Sequence, residues 1–179
     1  MKIRVDDITD KPRLLTFEEP YDAFPALASI HKIGQSEFLS PITVELTVVR
    51  EYGHIRVKGE VSVGMRFACS RCLALFDSVL RSDFTVFYTE GNHFDSDEDE
   101  VELAEEDLVS VSFEGEEIDF SHEVAEQVIM EMPLKPLCGD DCRGLCSTCG
   151  ADLNEGDCGC ESASFNLKFN ALKNFKVEK

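Results

Sequence analysis

The residues of this chain with the most chemistry in them are eight cysteines: Cys69, Cys72, Cys138, Cys142, Cys146, Cys149, Cys158 and Cys160. Their pattern is C-x2-C, then, much later, C-x3-C-x3-C-x2-C-x8-C-x-C. Thiolates are soft ligands, and two of them spaced by two residues can meet one metal ion from a single turn. The stretch Cys146-Ser147-Thr148-Cys149-Gly150 has this form. Gly150 stands where the backbone must turn so that its amides can face sulfur, a place that favours a residue without a side chain. Cys158-Gly159-Cys160 supplies a tight second pair. The partition that best satisfies a tetrahedral ion is two four-sulfur sites. Cys146, Cys149, Cys158 and Cys160 would close one locally. Cys69, Cys72, Cys138 and Cys142 would close the other, tying an early turn to a late loop. Four protein sulfurs leave no open position for water, so Zn2+ held this way is structural. Such binding contributes on the order of 10 kcal/mol to folding in small peptides. Residues 133–160, poor in apolar side chains, need a staple of this kind.

Spacing alone leaves other partitions open. A single zinc could draw on the cysteines from 138 to 160, with Cys69 and Cys72 as free thiols. Disulfides or a redox centre are a further option, although a reducing cytosol disfavours structural disulfides. The spacing matches neither common ferredoxin run. A thioredoxin-like role for Cys69 and Cys72 would require a βαβ setting, which this region lacks. Catalysis finds little else to use. His31, His54, His93 and His122 form no metal or triad spacing with one another, and there is no phosphate-binding glycine loop or nucleophile elbow. The chain reads as a non-enzyme without a small-molecule substrate. The rival reading is a thiol redox or metal-sensing protein.

The elements that must position the cysteines are mostly strands. Residues 43–50 (TVELTVVR) are rich in β-branched side chains, and Glu51-Tyr52-Gly53-His54 reads as a hairpin turn. Residues 54–67 place Ile55, Val57, Gly59, Val61, Val63, Met65 and Phe67 on one face and mostly polar residues on the other. That is a long, half-buried antiparallel strand running straight to Cys69. Residues 76–88 read as the strand after the turn, with shorter strands at 2–5, 13–17 and 108–113. A short helix is expected over 23–33. The best helix is 118–132, with Ser121 to cap it, Val124, Ala125, Val128, Ile129 and Met132 along one side, and Pro133 to stop it. Residues 165–176 read as a small basic amphipathic helix. The fold class is α+β: an antiparallel β-sheet meander with one main helix and a C-terminal cysteine-rich zinc-knuckle region. The expected division is a sheet domain over 1–134, with an acidic loop over about 91–107, and a cysteine-rich segment with an amphipathic tail over 135–179.

Charge sets limits on partners. Of the formal net charge of -19, residues 82–134 hold 18 acidic side chains and no Lys or Arg, while residues 1–81 balance 11 acidic against 11 basic. Nine of the 13 residues in 95–107 are acidic, which suits a solvated loop or a dock for a basic partner protein. Such a chain is no electrostatic coat for RNA. The cysteine-bearing segments are nearly neutral, and Arg66, Arg71, Lys135 and Arg143 flank them as candidate contacts to RNA or a partner. The sequence has no apolar stretch of signal-peptide type at its start and no run long enough to span a bilayer, so a cytoplasmic protein without a membrane role is expected.

Phe67-Ala68-Cys69-Ser70-Arg71-Cys72-Leu73, followed by Phe76, resembles the C-x-R-C-L motif of the YceD family, the large ribosomal RNA subunit accumulation proteins. The resemblance continues through Glu117-Ile118-Asp119-Phe120 and the run from Met132 to Cys138. It ends with Asp141-Cys142-Arg143-Gly144-Leu145-Cys146-Ser147-Thr148-Cys149-Gly150-Ala151-Asp152-Leu153-Asn154 and Cys158-Gly159-Cys160. It implies a non-enzymatic cytoplasmic factor needed for normal levels of 23S ribosomal RNA or its precursor, working with that RNA or with large-subunit assembly proteins. One departure is visible: the Asp-Pro-Arg segment often found before the final apolar stretch is replaced here by Glu161-Ser162-Ala163-Ser164.

Overall fold

A computed structural model describes residues 1–34, 36–91 and 110–160. Eight strands and two α-helices follow in chain order: β1 (Lys2–Arg4), β2 (Arg13–Glu19), α1 (Pro25–Ile33), β3 (Ser36–Phe38), β4 (Ile42–Glu51), β5 (His54–Ala68), β6 (Leu75–Glu90), β7 (Ser110–Phe113), β8 (Glu117–Asp119) and α2 (Ser121–Glu131). The main sheet has the order β2-β4-β5-β6-β7, with β3 on the far end of β5. The protein is α+β, as expected, and its sheet is mostly antiparallel.

The hairpin of β4 and β5 is the backbone of the sheet. Glu51 pairs with His54 across a two-residue turn, in which Tyr52 takes φ 37 and points into solvent. The alternation in β5 is realised residue by residue: Ile55, Val57, Val61, Val63, Met65 and Phe67 are buried in one core with Ile42, Val44, Leu46 and Val48 of the neighbouring β4. Each such side chain taken from water contributes about 1.5–3 kcal/mol. Gly59 has a packing reason to lack a side chain. A Cβ there would overlap Cζ of Phe84 and lie 2.9 Å from Cδ2 of Leu46. β5 is long enough to hold two partners along its length, β4 over 54–62 and β3 over 65–67. Leu39 N–H donates to the Gly64 carbonyl, and Gly64 N–H donates to Ser40 Oγ, at the break between them.

Both helices pack into the same hydrophobic core. Phe24 and Leu27 enter it from the start of α1, and Val124, Ala125 and Val128 from α2. Pro25 opens α1 with its φ preset, and Gly34 at φ 77 closes it. Phe120, just before α2, packs edge-on against Tyr88 of β6 with ring centroids 5.7 Å apart. Ser82 Oγ of β6 donates to Gln127 Oε1 of α2 at 3.1 Å.

Several expectations are corrected here. The helix begins at Ser121, not 118, because Glu117–Asp119 forms β8 and pairs antiparallel with β1 in a separate two-stranded sheet. Ser121 is not its cap: Asp119 Oδ1 accepts from the Ser121 N–H, and Ser121 Oγ accepts from the amino group of Met1. Ile129 stands exposed off the buried stripe. The strand at the sheet edge, β7, runs parallel to β6, so the meander ends in a parallel pair. The acidic run 95–107 and the tail 165–176 lie outside the described residues.

The chain divides into two compact units, Met1–Phe67 with Phe76–Leu134, and Ala68–Leu75 with Lys135–Lys179. The second unit includes the turn between β5 and β6. Every cysteine belongs to this unit.

Candidate metal centres

Cys69 and Cys72 are presented by the turn that ends β5. Cys69 N–H donates to the Ala74 carbonyl and Leu73 N–H to the Cys69 carbonyl, each at 2.9 Å, which folds four residues around the Cys69 sulfur. Arg71 N–H points at that sulfur at 3.4 Å. The second turn repeats the geometry. Thr148 N–H lies 3.4 Å from Cys146 Sγ, and Gly150 N–H donates to the Cys146 carbonyl at 2.9 Å. The residue after the second cysteine has positive φ in both turns, Gly150 at 75 and Leu73 at 62. Gly150 meets the expectation drawn from its type. Leu73 is a site that sequence reasoning missed: it carries an exposed side chain where the same turn elsewhere uses glycine.

The remaining cysteines come from the loop after α2. Ser70 N–H donates to the Pro136 carbonyl at 2.8 Å and brings that loop to the turn. Arg71 then clamps it, with Nη1 donating to the carbonyls of Asp140 at 3.1 Å and Cys142 at 2.9 Å. Gly144, at φ 73, passes so close to the Arg71 backbone that a Cβ would sit 3.0 Å from the Arg71 oxygen. Beyond it the chain forms a miniature hairpin. Leu145 bridges Asp152, Cys146 N–H donates to the Ala151 carbonyl, and Leu153 N–H donates to the Gly144 carbonyl. Gly159, at φ 72, turns the chain between Cys158 and Cys160.

The eight thiols fall into two groups of four, Cys69, Cys72, Cys138 and Cys142, and Cys146, Cys149, Cys158 and Cys160. In each group the sulfurs all lie within 4.8 Å of one another. Cys69 and Cys142 are 3.7 Å apart, and Cys72 and Cys138 are 3.6 Å apart. A tetrahedron with metal–sulfur bonds of ~2.3 Å has edges of about 3.8 Å, so the spacing suits a shared ion; a disulfide would need about 2.05 Å. Cys69, Cys72 and Cys142 are buried, whereas Cys149, Cys158 and Cys160 are exposed.

Electrostatics point the same way. Backbone amides, chiefly those of Cys72 and Cys149, lower the Cys69 and Cys146 thiols to about 6. The last proton of each group is hard to remove. Cys142 and its neighbours raise Cys138 to about 12, and Cys149 and Cys158 raise Cys160 to about 12. Four thiols this close release all their protons only when a cation shares the space.

Three of the four basic residues flagged by sequence are occupied within the protein. Arg66 pairs with Asp77 at 2.7 Å and with Glu37 at 3.4 Å. Arg71 serves the loop, and Arg143 pairs with Asp157. Lys135 is exposed and has no ion pair among the described residues.

This architecture defines a small α+β protein whose sheet turn and C-terminal loop together build a paired four-cysteine module. The family model described as "Large ribosomal RNA subunit accumulation protein YceD" matches residues 57–176, and the chain belongs to this family. Its relatives include the chloroplastic large ribosomal RNA subunit accumulation protein YCED homolog 1 of Arabidopsis thaliana, 26% identical over 78% of the chain and 50% of that protein. The homologue of the same name in Zea mays is 26% identical over 68% of the chain and 49% of its own length. An uncharacterized protein of Mycobacterium leprae is 28% identical over 72% of the chain and 57% of that protein. The chain spans about half the length of the plant relatives it matches. No solved structure matches it. Among the described residues, no helix is long and apolar enough to cross a membrane.

Proposed function

We propose that this chain is a non-enzymatic, cytoplasmic factor required for the accumulation of 23S ribosomal RNA or its precursor, and so for assembly of the large ribosomal subunit. The observation that carries this reading is the extent of the family match, which takes in most of β5, all of β6 and all eight cysteines. The names of the plant relatives support it. Zn2+ is the ion that suits both thiol groups. Cys69, Cys72, Cys138 and Cys142 would hold one ion, and Cys146, Cys149, Cys158 and Cys160 the other. Zinc would supply the positive charge that lets four thiolates share one small volume and would crosslink the segments that carry them. With all four positions taken by sulfur, its role is structural.

Charge favours a protein as the direct contact. A net charge of -19 repels a phosphate backbone and attracts the basic proteins of the large subunit. The level of RNA then follows from assembly. Of the four flanking basic residues, Lys135 is the one free to reach outward; Arg66, Arg71 and Arg143 hold the protein's own acceptors. The test is depletion of the protein in its own host, with 23S RNA measured against small-subunit RNA. The ratio is expected to fall. An unchanged ratio would sink the proposal.

A further inference from the structure

We infer that the two four-cysteine groups act as a coupled pair, with Asn154 as the residue that couples them. This rests on the reading above that both groups hold metal.

Asn154 lies in the chain between Cys149 and Cys158, on the return arm of the hairpin that carries the second group. Its side chain serves the first group. Asn154 Nδ2 lies 3.5 Å from Cys142 Sγ. The carboxamide is held on three sides. Nδ2 also donates to Asp152 Oδ1 at 2.7 Å, and Oδ1 accepts the Arg143 N–H at 2.8 Å. This is the only orientation the surroundings satisfy. A flipped amide would set oxygen against a carboxylate and a sulfur, and NH2 against a backbone N–H. The Asn154 N–H donates to the same Asp152 oxygen at 2.8 Å, so side chain and main chain are locked together.

Donors to a ligand sulfur stabilise its thiolate and fix its direction, and losing one typically costs about 10–100-fold in metal affinity. Arg71 and Thr148 amides provide this service to Cys69 and Cys146 from within their own turns. Cys142 receives it from the hairpin of the other group. Among the described residues that hairpin is held by a few backbone hydrogen bonds and the exposed Arg143–Asp157 pair, and Cys146, Cys149, Cys158 and Cys160 close it. An ion at the exposed second group therefore holds Asn154 in place, and Asn154 strengthens the buried first group. By thermodynamic reciprocity, an ion at the first group raises the affinity of the second by the same factor.

The experiment uses the full chain, stripped of metal under reducing conditions and titrated with Co2+, whose thiolate charge-transfer absorption reports each four-sulfur site. Zn2+ competition then gives the affinities. Wild type, Cys160→Ser, Asn154→Ala, the isosteric Asn154→Asp and the double variant Cys160→Ser/Asn154→Ala are compared, with circular dichroism as a check on folding. Wild type is expected to bind two ions. Disabling the second group through Cys160→Ser is expected to weaken the first about 10-fold or more, and either substitution of Asn154 to do the same while two ions still bind. In the double variant the two effects are expected to be far less than additive. First-group affinities within about twofold of wild type in Cys160→Ser, or in the two Asn154 variants, would overturn the coupling and leave the metal reading intact. A wild-type chain that binds no Co2+ or Zn2+ would overturn the metal reading itself, and the coupling with it.

Discussion

The sulfurs of Cys69 and Cys142 lie 3.7 Å apart although 73 positions separate them in the chain. The first group of thiols thus does what no local turn can do, joining the end of β5 to the loop after α2. Its loss should be visible as a change in metal content. Cys142→Ser is expected to reduce bound zinc to about one ion per chain and to expose residues 135–145 to proteolysis, while β-sheet circular dichroism persists. Mass spectrometry under native conditions and limited proteolysis check both parts. Unchanged zinc content would contradict the grouping.

Arg71 and Lys135 are both basic and lie in the same unit, yet their roles differ. Arg71 donates to two loop carbonyls, and Lys135 faces outward. Arg71→Ala is expected to speed zinc loss to a chelator about 10-fold, since it unclamps the loop that carries Cys138 and Cys142. Lys135→Glu is expected to leave zinc retention and thermal stability unchanged. Identical behaviour of the two variants in chelator kinetics would show that this division is mistaken.

The pH dependence of the metal-free chain follows from the thiols. Cys69 and Cys146 are lowered to about 6 from 9.0, so their thiolates favour the folded unit at high pH. That contribution is complete above pH 9 and is lost as pH falls toward 6. Cys138 and Cys160 are raised to about 12, so they favour the folded unit below pH 9 and cease to do so between 9 and 12. Stability of the metal-free unit should therefore climb from pH 6, peak near 9 and decline above it. Denaturant melts across this range test the shape of the curve; a steady fall from pH 6 to 9 would contradict the assignments.

Gly59 faces Phe84 with no room for a methyl group. Gly59→Ala is expected to cost about 1–3 kcal/mol through overpacking, read as a lower thermal midpoint. In Gly59→Ala/Phe84→Leu the combined loss should be smaller than the sum of the two single losses.

Much of this was legible in the sequence, and for a physical reason in each case. The alternation in β5 is local, and so is the spacing of Cys146, Cys149, Cys158 and Cys160; which late cysteines join Cys69 and Cys72 is set across 66 to 73 positions, and spacing left that partition open. What escaped was set by distant partners. The pattern at 118–119 fits a helix as well as a strand, and only pairing of Lys2 with Asp119 decides for the strand. The parallel alignment of β7 depends on how the chain returns from β6, which no local pattern encodes. Ser121 has the right type for a cap, but Asp119 is better placed. Asn154 and Arg71 sit in loops without periodicity, so their type alone could not place them beside sulfur. The one available signal for Asn154 was Asp152 two residues before it, an arrangement that invites a local side-chain hydrogen bond.

Leu73 tests how far the two turns are equivalent. At φ 62 a leucine is strained by about 1–2 kcal/mol, whereas glycine gives back about 0.5–1 kcal/mol of that in chain entropy. Leu73→Gly is thus expected to leave the melting midpoint of the zinc-loaded protein unchanged or slightly raised. A clear fall would mean that the exposed leucine packs in a way the turn geometry does not require.

The most direct measurement is the zinc content of the intact, freshly purified chain, combined with titration of its accessible thiols without denaturant. Two zinc ions per chain, with thiols that become reactive only after chelation, are the predicted result. A metal-free chain whose eight thiols react at once would contradict the account.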